Sequence, residues 1–108
     1  MKLAKSIILS AVLFAGAAQA QFISGNTLYD RMNGSHGNTM WAIGYVTGVA
    51  DAYNGEMFCI PKSATVGQIK DIAERFLIDR PQDRHLPADI LIMLALVDLF
   101  PCKKGGGV

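Results

Sequence analysis

The chain has two cysteines, and each stands beside a proline at the edge of an apolar segment: Cys59 in FCIP and Cys102 in FPC. An even cysteine count in a short exported chain reads as a disulfide. With 42 residues between the two positions, the chain-entropy treatment puts such a bond at about 4 kcal/mol. That is large beside the roughly 5–15 kcal/mol that keeps a domain folded. The other use of these thiols is a metal site of Cys59, Cys102, His36 and His85, but the cysteines lack the close CxxC spacing of such sites.

Export is written at the amino end. MKLAKSIILSAVLFAGAAQA has a basic start in Lys2 and Lys5, an apolar centre from Ile7 to Ala15, and Ala18-Gln19-Ala20 as a small-x-small cleavage site. These are the three parts of a secretory signal peptide. The apolar run is too short to span a bilayer well and no charged stop follows it, which argues against a retained anchor. No cysteine lies near the cleavage site to take a lipid. Cleavage after residue 20 leaves 88 of 108 residues, enough for one domain but near the size at which a core alone supplies only a few kcal/mol. Without Lys2 and Lys5, eight Lys and Arg face nine Asp and Glu, a net charge of −1 with neutral histidines. Such a balance gives no basis for binding nucleic acid or anionic membranes, which call for clustered basic surface.

Helical periodicity dominates the rest, with no internal repeat, no dividing linker and no sustained strand-like alternation. The sequence predicts one all-α domain of about four helices over residues 21–102, followed by a flexible Gly-rich tail at 103–108. The first helix lies in SGNTLYDRMNG, with Asn26 as cap, Leu28 and Met32 four apart, and Gly34 as stop. The loop NGSHGN is expected to be exposed and mobile. Thr39 to Tyr53 forms the second helix, with Trp41, Tyr45, Val49 and Ala52 as its core stripe and Ala42, Val46 and Tyr53 beside it. Gly44, Gly48, Asp51 and Gly55 form a neighbouring stripe. Interior glycines cost about 1 kcal/mol each relative to alanine, so their presence suggests close approach by another helix of the same chain or by a second copy. Asp51, near the negative end of its helix, is expected to hydrogen-bond or pair with a cation.

Thr65 and Gln68 form a capping box that starts a third helix at Val66. Its buried face is Val66, Ile69, Ile72 or Ala73, Phe76 and Leu77, and its outer face pairs Lys70 with Glu74 and Asp71 with Arg75. Pro81 stops it near Asp79, and RPQDRH becomes a charged loop. The last helix, PADILIMLALVDLF, has Pro87 in its first turn and is apolar nearly all round from Ile90 to Val97. It stops near Leu99, because the residue before Pro101 avoids helical angles. In an exported soluble domain such a helix implies cover on several sides, in part from a second subunit. Pro61 keeps Cys59 and Ile60 extended, so the bridge closes the two-helix unit it brackets.

The chemistry-bearing residues form no catalytic set. His36 next to Ser35 lacks a nucleophile-elbow context, His85 in DRHLP sits where a helix starts, and Asp79 and Asp83 are loop carboxylates. HExxH, P-loop and GxGxxG motifs are absent. The sequence predicts a protein that is not an enzyme and needs no cofactor or metal.

Taken in order, GYVTGVADA (44–52), FCIP (58–61), Gln68 at the capping box, Arg80-Pro81 and FPC (100–102) resemble the Rap/Tai family of type VI secretion immunity proteins, from about Gly25 to Cys102. The resemblance implies a small all-helical, disulfide-bonded periplasmic protein, often dimeric. Such proteins bind a peptidoglycan amidase delivered by a neighbouring or sister cell and occlude its active site. Members often carry a further cysteine pair, one in the first helix and one ahead of the GY motif. Here Met32 stands at the first position and no cysteine precedes Gly44, so the first helix has one cross-link fewer. On exposure alone, the partner-binding candidates are Ser35 and His36 in NGSHGN, and Arg80, Gln82, Asp83, Arg84 and His85 in RPQDRH. A general periplasmic stress or chaperone-like protein is the competing reading, since small helical proteins with apolar dimer interfaces release binding surfaces when they open. One stoichiometric partner marks the first reading, many weak clients the second.

Overall fold

The structure, a computed structural model, describes residues 22–103; the expected signal peptide and the tail after Lys103 lie outside the described residues. Four helices form the domain: α1 Gly25–Met32, α2 His36–Tyr53, α3 Val66–Asp79 and α4 Ala88–Leu99, with a 3-10 turn at Pro81–Asp83. The fold is all-α, as the periodicity predicts, and Cys59 is bonded to Cys102. Both thiols are thereby taken, which removes them as metal ligands.

Each helix touches the other three, and each contributes to one core. Leu28 and Met32 come from α1, Ala42, Val46 and Ala50 from α2, Ile69, Ala73 and Leu77 from α3, and Leu91, Ile92, Ala95 and Leu96 from α4. The connection between α2 and α3 adds Phe58, the largest fully buried side chain. It is delivered by a turn at Gly55, whose φ of 92° lies in the left-handed region that glycine enters without steric penalty. The Gly55 N–H donates to the Phe58 carbonyl at 2.7 Å. Gly55 therefore lies beyond α2, not on its stripe.

The boundaries of the first two helices differ from expectation. Ser24, not Asn26, caps α1, its hydroxyl accepting from the Thr27 N–H at 3.2 Å, and Asn33 closes it one residue before Gly34. Ser35 then caps α2, accepting from the Asn38 N–H at 3.4 Å. A serine in this position satisfies an orphan helix N–H, so α2 starts at His36 and only residues 33–35 connect the two helices. The core stripe of α2 is also turned. Ala42, Val46 and Ala50 point inward, while Trp41 and Ala52 are exposed. Small residues on the inner line let the α2 backbone approach its neighbours, and the large rings take the margin.

In α3 the capping box has both its bonds: the Gln68 N–H donates to Thr65 Oγ1 at 3.1 Å and the Thr65 N–H to Gln68 Oε1 at 2.8 Å. Ile72 and Phe76 flank the buried line, and Val66, in the first turn, is half exposed. Lys70 Nζ lies 2.8 Å from Glu74 and 3.6 Å from Asp71; the expected pair between Asp71 and Arg75 does not form among the described residues. The hydrogen bond to Glu74 holds the Lys70 ammonium above the ordinary lysine pKa, despite partial burial. Helix α4 ends at Leu99, with Pro87 just outside it as the N-cap residue. Next to the disulfide, the Cys59 N–H donates to the Phe100 carbonyl at 2.8 Å, so the end of α4 is tied twice to the loop before α3. At the other end of α4, the Ala88 N–H donates to Ile23 at 3.0 Å and the Gly25 N–H to Leu86 at 2.9 Å. These bonds seat the start of α1 on the α3–α4 connection.

Candidate functional site

The described residues contain no group of three or more His, Cys, Asp or Glu placed to hold a metal, and no helix long and apolar enough to cross a membrane. His36 and His85 are both exposed, one on α2 and the other before α4. What the surface offers is shape and apolar area, which serve binding.

Two of the loop candidates prove to be structural. Arg84 Nε donates to the Leu77 carbonyl at 2.7 Å and its Nη2 to Ile78 at 3.4 Å, while its guanidinium lies 3.8 Å from the centre of the Tyr29 ring. A cation on the last carbonyls of a helix satisfies orphan acceptors and meets the negative dipole end. Arg84 thus closes α3 and fastens α1 to it. Ser35 is the α2 cap, and His36 is that helix's first residue, so neither belongs to a mobile loop. Arg80 lies over the Phe76 ring at 4.6 Å and 3.8 Å from Asp83. Gln82 and His85 remain exposed, Gln82 at a groove of about 340 Å³ between α3 and α4 that Arg75, Asp79 and Asp98 also line.

Gly44 and Gly48 lie on the open crest of α2. A Cβ built on either would meet nothing within 4 Å, which overturns close packing within one chain as the reason for these glycines. Asp51 is exposed as well, with no hydrogen bond or ion pair among the described residues.

Beside that crest lies a shallow groove of about 460 Å³, lined by Gly44, Tyr45, Gly48, Val49, Ala52 and Tyr53 of α2 and by Asp89 at the start of α4. At one end of α2 an aromatic ladder is exposed. The Arg31 guanidinium sits 4.2 Å from the Trp41 ring centre, and Trp41 stacks on Tyr45 at 5.6 Å with 11° between the planes. Burial, and secondarily the Asp89 carboxylate, raise the Tyr45 pKa above its ordinary value. Along α4, Ile90, Leu94 and Val97 form an outward ridge, 41%, 50% and 37% exposed. The all-round apolarity of α4 signals this ridge in the sequence. Nothing local in the sequence signals the ladder, because Arg31 reaches Trp41 from another helix.

These features define a small, disulfide-closed four-helix domain. The family model for Rap1a immunity proteins matches residues 24–102, and the chain belongs to that family. No curated protein matches it.

Proposed function

We propose that this protein is a periplasmic immunity protein that binds a peptidoglycan amidase delivered by type VI secretion and occludes its active site. The observation that carries this reading is the match to Rap1a immunity proteins across residues 24–102. The Cys59–Cys102 bond is compatible with an oxidising compartment, and the exposed features suit binding without chemistry. We also infer a homodimer formed through Ile90, Leu94 and Val97 of α4. Their spacing lines one helix face, a two-fold axis would set that face against its own copy, and covering it removes apolar surface that a monomer leaves in water.

The test is capture of partners by the tagged mature protein from envelope fractions of the source cell and of neighbouring strains. The captured enzyme's release of peptides from purified cell wall is then measured with and without the protein. One stoichiometric amidase, inhibited at equimolar protein, supports the reading. A broad spread of envelope proteins, an uninhibited enzyme or no partner counts against it. For the dimer, a monomer mass in solution at tens of micromolar removes the proposal.

A further inference from the structure

The groove between α2 and α4 is a separate surface from the α4 ridge, and its chemistry selects a different occupant. We propose that it is a docking site for an apolar helix bearing one lysine or arginine, presented by a partner protein. The shape comes from the α2 face, where Tyr45, Val49 and Tyr53 rise beside the glycines, with Asp89 at the start of α4 closing the other side. Where Gly44 and Gly48 form the open edge, no side chain stands between the groove and an arriving backbone. This is the geometry of helix-in-groove recognition.

Charge decides which helix fits. Asp89 is the only charged residue lining the groove, and it has no ion pair among the described residues. The nearby cation, Arg31, already lies over Trp41. A second copy is a poor occupant, since its own apolar ridge of Ile90, Leu94 and Val97 offers Asp89 no cation. Complementary charge sets partner choice at interfaces more than raw affinity does. The rim adds Trp41, Tyr45 and Arg31, the residue types that dominate binding hot spots, and their mutual stacking fixes them before any partner arrives. Fixing side chains in advance lowers the entropy lost on docking. Identifying the partner with the effector rests on the function proposed above; the groove's preference for a cationic apolar helix does not.

The probe is a synthetic amphipathic helical peptide with one lysine on its apolar face, compared with the same peptide carrying glutamate there. Each is titrated into isotope-labelled mature protein and followed by NMR. The lysine peptide is expected to move the Gly44 and Gly48 amides and the Trp41 indole N–H, and the glutamate peptide to bind about tenfold more weakly or worse. Asp89→Asn should bring the two peptides within about threefold of one another. Gly48→Leu, which fills the groove from its open edge, should abolish the shifts while the helical circular dichroism and the disulfide persist. No shift with either peptide overturns the proposal, as do shifts centred on the α4 ridge or on residues 80–85, equal binding of the two peptides, or undiminished binding to Gly48→Leu. Failure of amidase capture with intact peptide discrimination would remove the effector and leave the groove standing.

Discussion

Alanine at Gly25 and alanine at Gly48 should change stability in opposite directions, although both glycines are helical. Gly25 is buried in the first turn of α1. A Cβ there would overlap Leu91 Cδ1 and come within 2.9 Å of the Arg84 carbonyl oxygen. Leu91 can rotate away, whereas the Arg84 backbone is held: its carbonyl accepts from the Asn26 N–H at 2.7 Å and its side chain is bound to α3 and Tyr29. Overpacking against a fixed group costs about 1–3 kcal/mol, and the gain of alanine over glycine, about 0.5–1 kcal/mol in a helix interior, is only partly returned at this first helical residue. The net loss for Gly25→Ala is therefore about 1–2 kcal/mol. At Gly48 the Cβ meets nothing, so only the gain of about 0.5–1 kcal/mol remains. For a domain of this size the urea slope is about 1 kcal/mol per molar. The midpoint should then fall by about 1–2 M for Gly25→Ala and rise by up to about 1 M for Gly48→Ala. Parent and variants are compared at matched protein concentrations, first low and then rising to tens of micromolar, because dimerisation links stability to concentration. A Gly25→Ala midpoint at or above the parent's would refute the seating of α1 on Arg84. A Gly48→Ala loss that grows with concentration would show the glycine crest buried between copies.

Replacing Cys59 and Cys102 together by serine should lower stability by about 4 kcal/mol; a loss below about 1 kcal/mol in urea unfolding would show that the bridge does not restrict the unfolded chain as argued. Thr65→Ala removes the hydroxyl that accepts from Gln68 and should cost about 1 kcal/mol, with no change in the unfolding slope. Arg84→Met should cost about 1–2 kcal/mol through the lost carbonyl contacts, and Arg84→Lys should restore little, because an ammonium cannot bridge two carbonyls while lying flat on Tyr29. The Lys70 pKa is raised in the fold, so its stabilisation is fully present below the ordinary value of 10.5 and is lost as pH rises through the higher folded value. Lys70→Met should therefore cost a few tenths of a kcal/mol near neutrality. A gap from the parent that failed to narrow above pH 10.5 would oppose this assignment.

The parts of the fold legible in the sequence are those written in local chemistry. The capping box at Thr65 and Gln68, the stop at Pro101 and the even cysteine pair each act within a few residues or have one partner available. Rotational register was harder to read. On α2, Trp41 and Tyr45 are more hydrophobic than Ala42 and Ala50, so a stripe drawn by hydrophobicity passes through the rings. Three-dimensional packing prefers small residues where helices approach most closely, and that preference appears only once the neighbouring helices are present. The start of α2 was hidden for another reason: in NGSHGN the turn-forming residues Asn, Gly and Ser also include a helix cap, and composition does not tell a loop serine from a capping one.

Arg84 carries the larger lesson for function. In RPQDRH it reads as one more exposed charge, and exposure made it a candidate for partner contact. Its bonds to Leu77 and Ile78 and its place over Tyr29 come from residues six or more positions away in sequence, beyond any local pattern. With Ser35 serving as a cap and Arg84 as a bolt, two of the residues nominated on the loops are needed to hold the helices together. A partner that displaced Arg84 would have to break its part-buried hydrogen bond to Leu77, a penalty of about 1–3 kcal/mol for a group left unsatisfied. The groove and ladder on α2 carry no such penalty, since Trp41 and the glycine crest are accessible without disturbing a core contact. Recognition by this domain is therefore cheaper on a helix face than on the charged loop, and partner-contact mutagenesis should begin at Trp41 and Asp89.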